Sequence, residues 1–209
     1  KENRLLTLYA NYNKLVESIK SSFDVTAGYD YQYWKSTTPL YSEMNTLGEI
    51  QKTSKASDER HVLLSYYGRL NYSFNSRYML TTTVRRDATS RFAKNVRWGT
   101  FPSVALGWRV TEESFLKDNK VISTLKVRAS YGVTGQQDGI GNYNYLPIYT
   151  ISQSGAGSLI GGTPTPTYRP KAYVPNLKWE TTTSWNVGFD FGFLKDRITG
   201  SFDYYTRQT

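Results

Sequence analysis

The 209-residue chain contains no cysteine and a single histidine. The first absence excludes disulfide frameworks, thiol chemistry and zinc–thiolate sites. The second excludes a histidine-rich metal centre and any HExxH-type motif. No apolar run reaches the roughly 18 residues that a membrane-spanning helix needs. The N-terminal stretch KENRLLTLYANYN lacks the basic start, apolar run and small-residue cleavage site of a signal peptide. Apolar residues are scarce, at 38%, yet aromatic residues reach 15%, with 18 Tyr against 9 Phe and 5 Trp. So many aromatics argue against a chain disordered throughout, and the length allows a sizeable core. The formal charge is +9.

The dominant pattern is strict alternation. From Leu125 to Val133 every odd position is apolar or aromatic (Leu125, Val127, Ala129, Tyr131, Val133). The even positions are Lys126, Arg128, Ser130 and Gly132. Period two puts these sets on opposite faces of a strand. From Trp179 to Phe193 the odd residues form one face, through Trp185, Val187, Phe189 and Phe191. Glu180, Asn186, Asp190 and their even neighbours form the other. Leu64–Phe74, Phe23–Tyr33, Ile198–Tyr204 and, less cleanly, Leu6–Tyr12 alternate likewise. Tyr78–Arg86 and Thr100–Val110 complete eight predicted strands. Pro102 has no N–H to donate, so regular pairing in its strand is expected to begin just after it. One helical turn is expected near Glu112–Asp118, with Thr111 as its N-cap.

The predicted connections alternate in length. Residues 13–20, 75–77, 111–122 and 194–197 are short to moderate; 35–59, 87–97 and 136–175 are longer. In an antiparallel sheet this places the long loops at one end, as in an outer-membrane barrel. A soluble sandwich also alternates. Three features favour lipid. The apolar faces run longer than the five or six residues of an ordinary strand. Aromatics gather at strand ends (Tyr29, Tyr31, Tyr33 and Trp34; Tyr72, Phe74 and Tyr78; Phe189, Phe191 and Phe193; Phe202, Tyr204 and Tyr205), resembling interfacial girdles. The opposite face is rich in Thr, Ser, Asn, Gly and charge. The expected class is therefore all-β, an antiparallel transmembrane β-barrel segment. The alternative is a secreted soluble all-β adhesin or carbohydrate-binding module.

The motifs suggest binding rather than catalysis. Arg85, Arg86, Arg91, Lys94 and Arg97 make a basic run, but it lies in a strand–loop–strand, so nucleic acid is not expected. By parity Arg86 points outward near the long-loop rim, where a guanidinium is suited to lipopolysaccharide phosphates. Arg85 and Asp87 point inward and are placed to pair across the wall. His61 has no nucleophile or acid arranged to use it and reads as structural. Asp24, Asp30, Asp190 and Asp203 read as scattered carboxylates of a wide channel. The glycines of 135–143 and 154–162 match no phosphate cradle. No cofactor, metal or enzymatic activity is expected. The excursion 136–175 is too long for a mere connector. It carries Tyr143, Tyr145, Tyr149, Tyr168 and Tyr173, stiffened by Pro147, Pro164, Pro166 and Pro170.

Residues 66–116 (YYGRLNYSFNSRYMLTTTVRRDATSRFAKNVRWGTFPSVALGWRVTEESFL), 125–143 (LKVRASYGVTGQQDGIGNY) and 175–209 closely resemble the SusC/RagA family of TonB-dependent outer-membrane transporters. Together they cover about half the chain. The resemblance implies a 22-stranded barrel of which residues 1–209 are one arc. It also implies an internal plug and a TonB box, neither of which is recognisable here. It implies a SusD-like surface lipoprotein as lid, energy from TonB, and import of oligosaccharides or peptides across the bacterial outer membrane. The five loop tyrosines are then expected to contact that lid or the cargo.

Overall fold

The computed structural model describes residues 1–117, 119–151 and 157–209. The chain runs β1 (Glu2–Val16), β2 (Ser21–Thr38), β3 (Tyr41–Met44), β4 (Ile50–Ser54), β5 (Ser57–Phe74), β6 (Tyr78–Thr89) and β7 (Trp98–Arg109). It continues through β8 (Ile122–Gln136), β9 (Tyr149–Ile151), β10 (Ser158–Ile160), β11 (Thr163–Thr165), β12 (Tyr168–Pro170), β13 (Glu180–Phe193) and β14 (Ile198–Gln208). The eight long strands form one antiparallel sheet in the order β1-β2-β5-β6-β7-β8-β13-β14. Each neighbours its predecessor among the long strands, so the sheet is a meander. The other six pair as β3–β4, β9–β12 and β10–β11, all within the long connections. All eight predicted strands are present, each lengthened at one or both ends except β13, which starts one residue later than expected, while β7 stops one residue short of Val110.

The turns follow local chemistry. Asn75 and Ser76 both adopt positive φ, and Arg77 N–H bonds back to Phe74 O at 3.0 Å. Two positive-φ residues suit the right-handed twist of this tight hairpin, in which three residues separate the paired Phe74 and Tyr78, and Asn tolerates that conformation. Proline 102 acts on one side only. The β6–β7 ladder runs through it, with Val84 opposite, whereas the β7–β8 ladder starts at Ser103. The side facing β8 is where regular pairing begins just after the proline, as expected.

The predicted helical turn differs. Within the expected span Leu116 and Lys117 N–H do bond to Glu113 O, at 3.0 and 2.9 Å, but the regular element is a 3-10 turn over Val110–Glu112, whose N-cap is Arg109 and which no side chain caps. Thr111 lies inside it, and Asp118 lies outside the described residues. Val110, predicted on the outer strand face, is instead buried. Glu113 organises this turn. It accepts from the Tyr78 hydroxyl at 2.6 Å, Trp108 Nε1 at 3.1 Å and Arg77 at 3.2 Å. These bonds, the tyrosine's foremost, hold its carboxyl below the ordinary value of 4.5. A depressed folded value means that the contribution is complete above the unfolded value and is lost as pH falls through the folded one. Amide protection across residues 110–117, taken as exchange relative to the intrinsic rate at each pH, should therefore fall on acidification below about pH 4.5. Glu113→Gln should remove that step; an unchanged step in this variant would contradict the assignment.

The sheet has two unlike faces. On one lie Leu6, Leu8, Val84, Leu106, Val127, Val187 and Phe202, all exposed. Among the described residues only Ala88, Phe92, Phe101, Val110 and Trp179 are buried apolar side chains. No second layer covers the apolar face among the described residues, which separates this sheet from a soluble sandwich. A contiguous apolar surface of this extent is the mark of a surface that meets lipid or a partner.

The compact core lies on the other face, at the long-loop end. Phe92, fully buried, meets Trp179 edge-on at 5.5 Å, and Trp179 meets Phe101 at 5.3 Å. Trp179 Nε1 donates to Arg97 O at 2.9 Å. Parity carried back from β13 had put Trp179 on the apolar face. The strand starts at Glu180, so Trp179 escapes the alternation and closes this core. Glycine is required at Gly135, where the tip of the Phe101 ring occupies the space a side chain would fill. Register also places Trp34 and Tyr205 on the polar face, away from the aromatic girdles to which neighbouring tyrosines suggested they belonged. Trp34 faces Asn3 and His61, and Tyr205 faces Asn186.

Candidate functional site

The polar face is organised by two arginines. Arg85 Nε lies 2.9 Å from Asp87 Oδ1, and its NH2 donates to Ser65 Oγ at 2.8 Å. The same guanidinium is 3.6 Å from Asp30 and sits over the Tyr67 ring at 5.7 Å. The Arg85–Asp87 pair thus runs along one strand, and Asp30 supplies the link across the wall. Arg128 bridges Asp190 at 2.9 Å and Asp203 at 3.1 Å. Asp24 accepts from Asn11 at 2.8 Å. All four carboxylates named from the sequence therefore engage donors. Partly hydrated pairs of this kind add little stability individually. Their effect is to tie side chains to one another across the strands of the polar face.

The long-loop end carries more structure than a rim. Beyond β8, residues 137–142 turn back over the sheet as a strap. Arg91, in the β6–β7 loop, donates to Asn142 Oδ1 and to Gln137 O, both at 3.1 Å. Asn142 Nδ2 donates to Glu59 Oε2 at 3.3 Å. The strap therefore crosses from β8 to β5, passing two intervening strands. Beneath it is an open cleft of about 630 Å³ lined by β1, β2, β5, Arg91 and the strap. On the cleft's wall Trp34 and His61, register partners on β2 and β5, stack at 4.1 Å and 3°. Sequence reading took Trp34 for a girdle residue and His61 for a structural one, so it missed the cleft. The parity of Trp34 was the available signal.

The five loop tyrosines are divided. Tyr143 accepts the Arg60 backbone N–H at 3.2 Å, where the strap meets β5. Tyr149 and Tyr168 lie on the β9–β12 ribbon. Tyr149 pairs with Pro170 and Ile151 with Tyr168, so these four residues share one ribbon face. Tyr149, Ile151 and Tyr168 are well exposed. The ribbon is extended by Lys171 N–H to Ile148 O at 2.7 Å and Val174 N–H to Asn144 O at 3.0 Å, which brings Tyr145 and Tyr173 alongside its base. Of the glycine run 154–162, residues 154–156 lie outside the described residues; Gly161 and Gly162 make the turn between β10 and β11.

Arg86 is on the apolar face as expected. Its guanidinium lies over the Trp98 ring at 5.0 Å, Trp98 stacks on Tyr66 at 6.1 Å, and Tyr66 meets Tyr29 at 5.2 Å. An arginine within an apolar surface is tolerated when it rests on an aromatic face and directs its charge toward the polar rim.

Comparison with known proteins places this geometry. The family model for the TonB dependent receptor-like β-barrel matches residues 2–209. The TonB-dependent receptor SusC of Bacteroides thetaiotaomicron is 46% identical over 214 residues, covering 95% of this chain and 21% of that protein. A TonB-dependent receptor of Formosa agariphila is 39% identical over 222 residues, covering 99% of this chain and 21% of its own length. The chain thus spans about a fifth of these relatives. Among solved structures, the RagAB peptide transporter matches with TM-score 0.80 at 23% identity, over 98% of this chain and 23% of that one. At that identity the match shows the fold.

Proposed function

We propose that this chain, which belongs to the TonB-dependent receptor-like β-barrel family, forms one arc of the wall of an outer-membrane nutrient importer. The observation that carries this is the two-faced single layer. The apolar surface meets lipid, and the polar surface, with its clamped Arg85 and Arg128, faces an aqueous passage. Strands of 11–18 residues meet or exceed the 9–11 or so that a tilted strand needs to cross a bilayer. The soluble-adhesin alternative needs a covering layer that the apolar face lacks among the described residues. Residues 1–209 are read as a single partial barrel, within a larger 22-stranded closure.

The cargo is an oligosaccharide or a peptide, moved without covalent chemistry or a cofactor. Energy from TonB enters through parts of the polypeptide other than this arc. A SusD-like lipoprotein acts as lid and docks on the exposed ribbon carrying Tyr149, Ile151 and Tyr168, with Tyr143, Tyr145 and Tyr173 at its base. Arg86 on Trp98 is the contact for lipopolysaccharide phosphate: its charge lies beside the long-loop rim, in a setting otherwise made of aromatics and aliphatics.

One set of strains tests these readings. Deleting the full-length gene should abolish growth on at least one glycan or peptide source that the parent uses. Parental growth on every source tested rejects the importer. Removing residues 144–172 from the full-length protein should release the lid on co-purification, and an intact complex rejects the ribbon as its dock. Arg86→Ala should lower the lipopolysaccharide that co-purifies; an unaltered amount rejects that contact.

A further inference from the structure

The apolar face is not evenly filled. Near the short-turn end it holds an open groove of about 440 Å³, bounded by Tyr72, Tyr78, Leu80, Leu106, Trp108 and Ala129. Register explains its shape. Tyr72, Leu80, Leu106 and Ala129 lie in one row across β5 to β8, and Tyr78 and Trp108 are partners in the next row toward the turns. Ala129 presents a single methyl between Leu106 and Val187, so the surface drops there. The aromatic sides are held in place. Tyr72 packs on Phe23 at 4.9 Å, and its hydroxyl lies 3.2 Å from Ser21 Oγ. Tyr78 and Trp108 both donate to Glu113. A groove with fixed sides needs little ordering when something enters it.

The connection beyond the groove leans over its end. Glu113 belongs to the turn that joins β7 to β8, yet it reaches two apolar-face side chains and Arg77 of the neighbouring turn. Those bonds bring the turn to the apolar side of the sheet. There Phe115 is 70% exposed, beside Leu116 and Lys117, whose N–H groups bond to Glu113 O. The carboxylate of Glu113 is committed to Arg77 at 3.2 Å. Glu112 lies with Arg109 and Lys126 around a separate hollow on the polar face. Lys117 and Lys120 are exposed and enter no ion pair among the described residues. An exposed phenylalanine and free lysines at the edge of an apolar surface suit a membrane interface, where a ring meets chains and a cation meets headgroups.

The matching molecule has an apolar tail for the groove and an anionic group for the lysines. Glycerophospholipid and lipopolysaccharide both have these parts. In a barrel of the importer type the short turns lie on the periplasmic side, where the leaflet consists of glycerophospholipid. Two lysines without a protein partner favour an anionic headgroup over a zwitterionic one.

We infer that the groove and the turn over it form a seat for one anionic glycerophospholipid, with an acyl chain in the groove, the phosphate at Lys117 and Lys120, and Phe115 among the neighbouring chains. The inference rests on the membrane part of the importer reading, because the groove meets lipid only if the apolar face does. It goes beyond general contact with a bilayer: the seat is saturable and selects its headgroup.

The test uses the full-length transporter, folded in mild detergent and titrated with phosphatidylglycerol, phosphatidylethanolamine and lipid A. Bound lipid is counted by native mass spectrometry. Phosphatidylglycerol should fill one saturable site about tenfold more tightly than phosphatidylethanolamine. Replacing both lysines, Lys117→Ala with Lys120→Ala, should remove that preference. Ala129→Phe, which fills the groove with an apolar ring, should weaken both phospholipids. Val84→Phe, exposed on the same face but outside the groove, should change neither. Equal binding of the two phospholipids, tighter binding of lipid A, or wild-type binding by Ala129→Phe overturns the seat. Insertion into vesicles is measured in parallel as the heat-modifiable band. If Ala129→Phe lowers that band, Ala129→Leu is read instead, with the same expected direction. A wild type that inserts but shows no headgroup preference overturns the seat and leaves the membrane reading standing. A wild type that does not insert overturns both.

Discussion

Val187→Arg should destabilise the full-length barrel by about 2–4 kcal/mol, whereas Ser201→Arg should leave it nearly unchanged. Val187 lies midway along β13, exposed on the apolar face, with Ala129 and Tyr204 as register partners. If lipid contacts that face, an arginine there must be desolvated or must deform the bilayer. Ser201 sits on the polar face of β14 opposite Asp190, so a guanidinium meets water and a carboxylate. Both positions are exposed in the structure, so contact area alone predicts no difference between them. The difference reports the solvent of each face. Denaturant midpoints of the folded, heat-modifiable form in lipid vesicles provide the measurement. Equal midpoints for the two variants would mean that both faces meet water, and the membrane reading would fall.

Phe92→Ala should cost about 3–5 kcal/mol in the core at the long-loop end. Phe92 is fully buried although it lies in a loop, and it supports Trp179, which supports Phe101. Leu63, Val96, Val133, Ile140 and Leu177 pack around this trio. Removing the ring leaves a cavity that its packed neighbours close only in part. The loss should be local. Amide exchange should rise over residues 90–97 and 176–180, and in the strap that Arg91 pins, while β13 and β14 keep their protection. Unchanged protection in 90–97 would show that the loop is held by something other than this core. A fall in protection along every strand would show that the core holds the whole arc, contrary to its place at one end.

Much of this architecture was legible before any coordinates. Alternation from Leu125 to Val133 and from Thr181 to Phe193 assigns each side chain to a face, because period two leaves no freedom once a strand is granted. The Asn75–Arg77 and 194–197 turns and the three long connections were readable from where alternation stops. The exceptions all occur at strand ends. Trp179 precedes its strand by one residue and turns into the core. Val110 follows its strand by one and is buried. Trp34 was grouped by proximity in sequence with Tyr29, Tyr31 and Tyr33, although its even position sends it to the other face.

The candidate cleft was legible only in pieces. Trp34 and His61 are 27 positions apart, and Arg91 and Asn142 are 51 apart. Neither loop residue belongs to a periodic segment. No local pattern states that residues 137–142 turn back across two strands, since that path depends on which donors wait at the far side. Alternation is a local property, set by the geometry of two successive peptides, and so strand count, faces and the exposed apolar surface could be read residue by residue. The strap, the stacked pair and the inner aromatic core depend on the register between strands and on loop folding. Those are decided by which distant side chains meet, and only the folded arc brings them together.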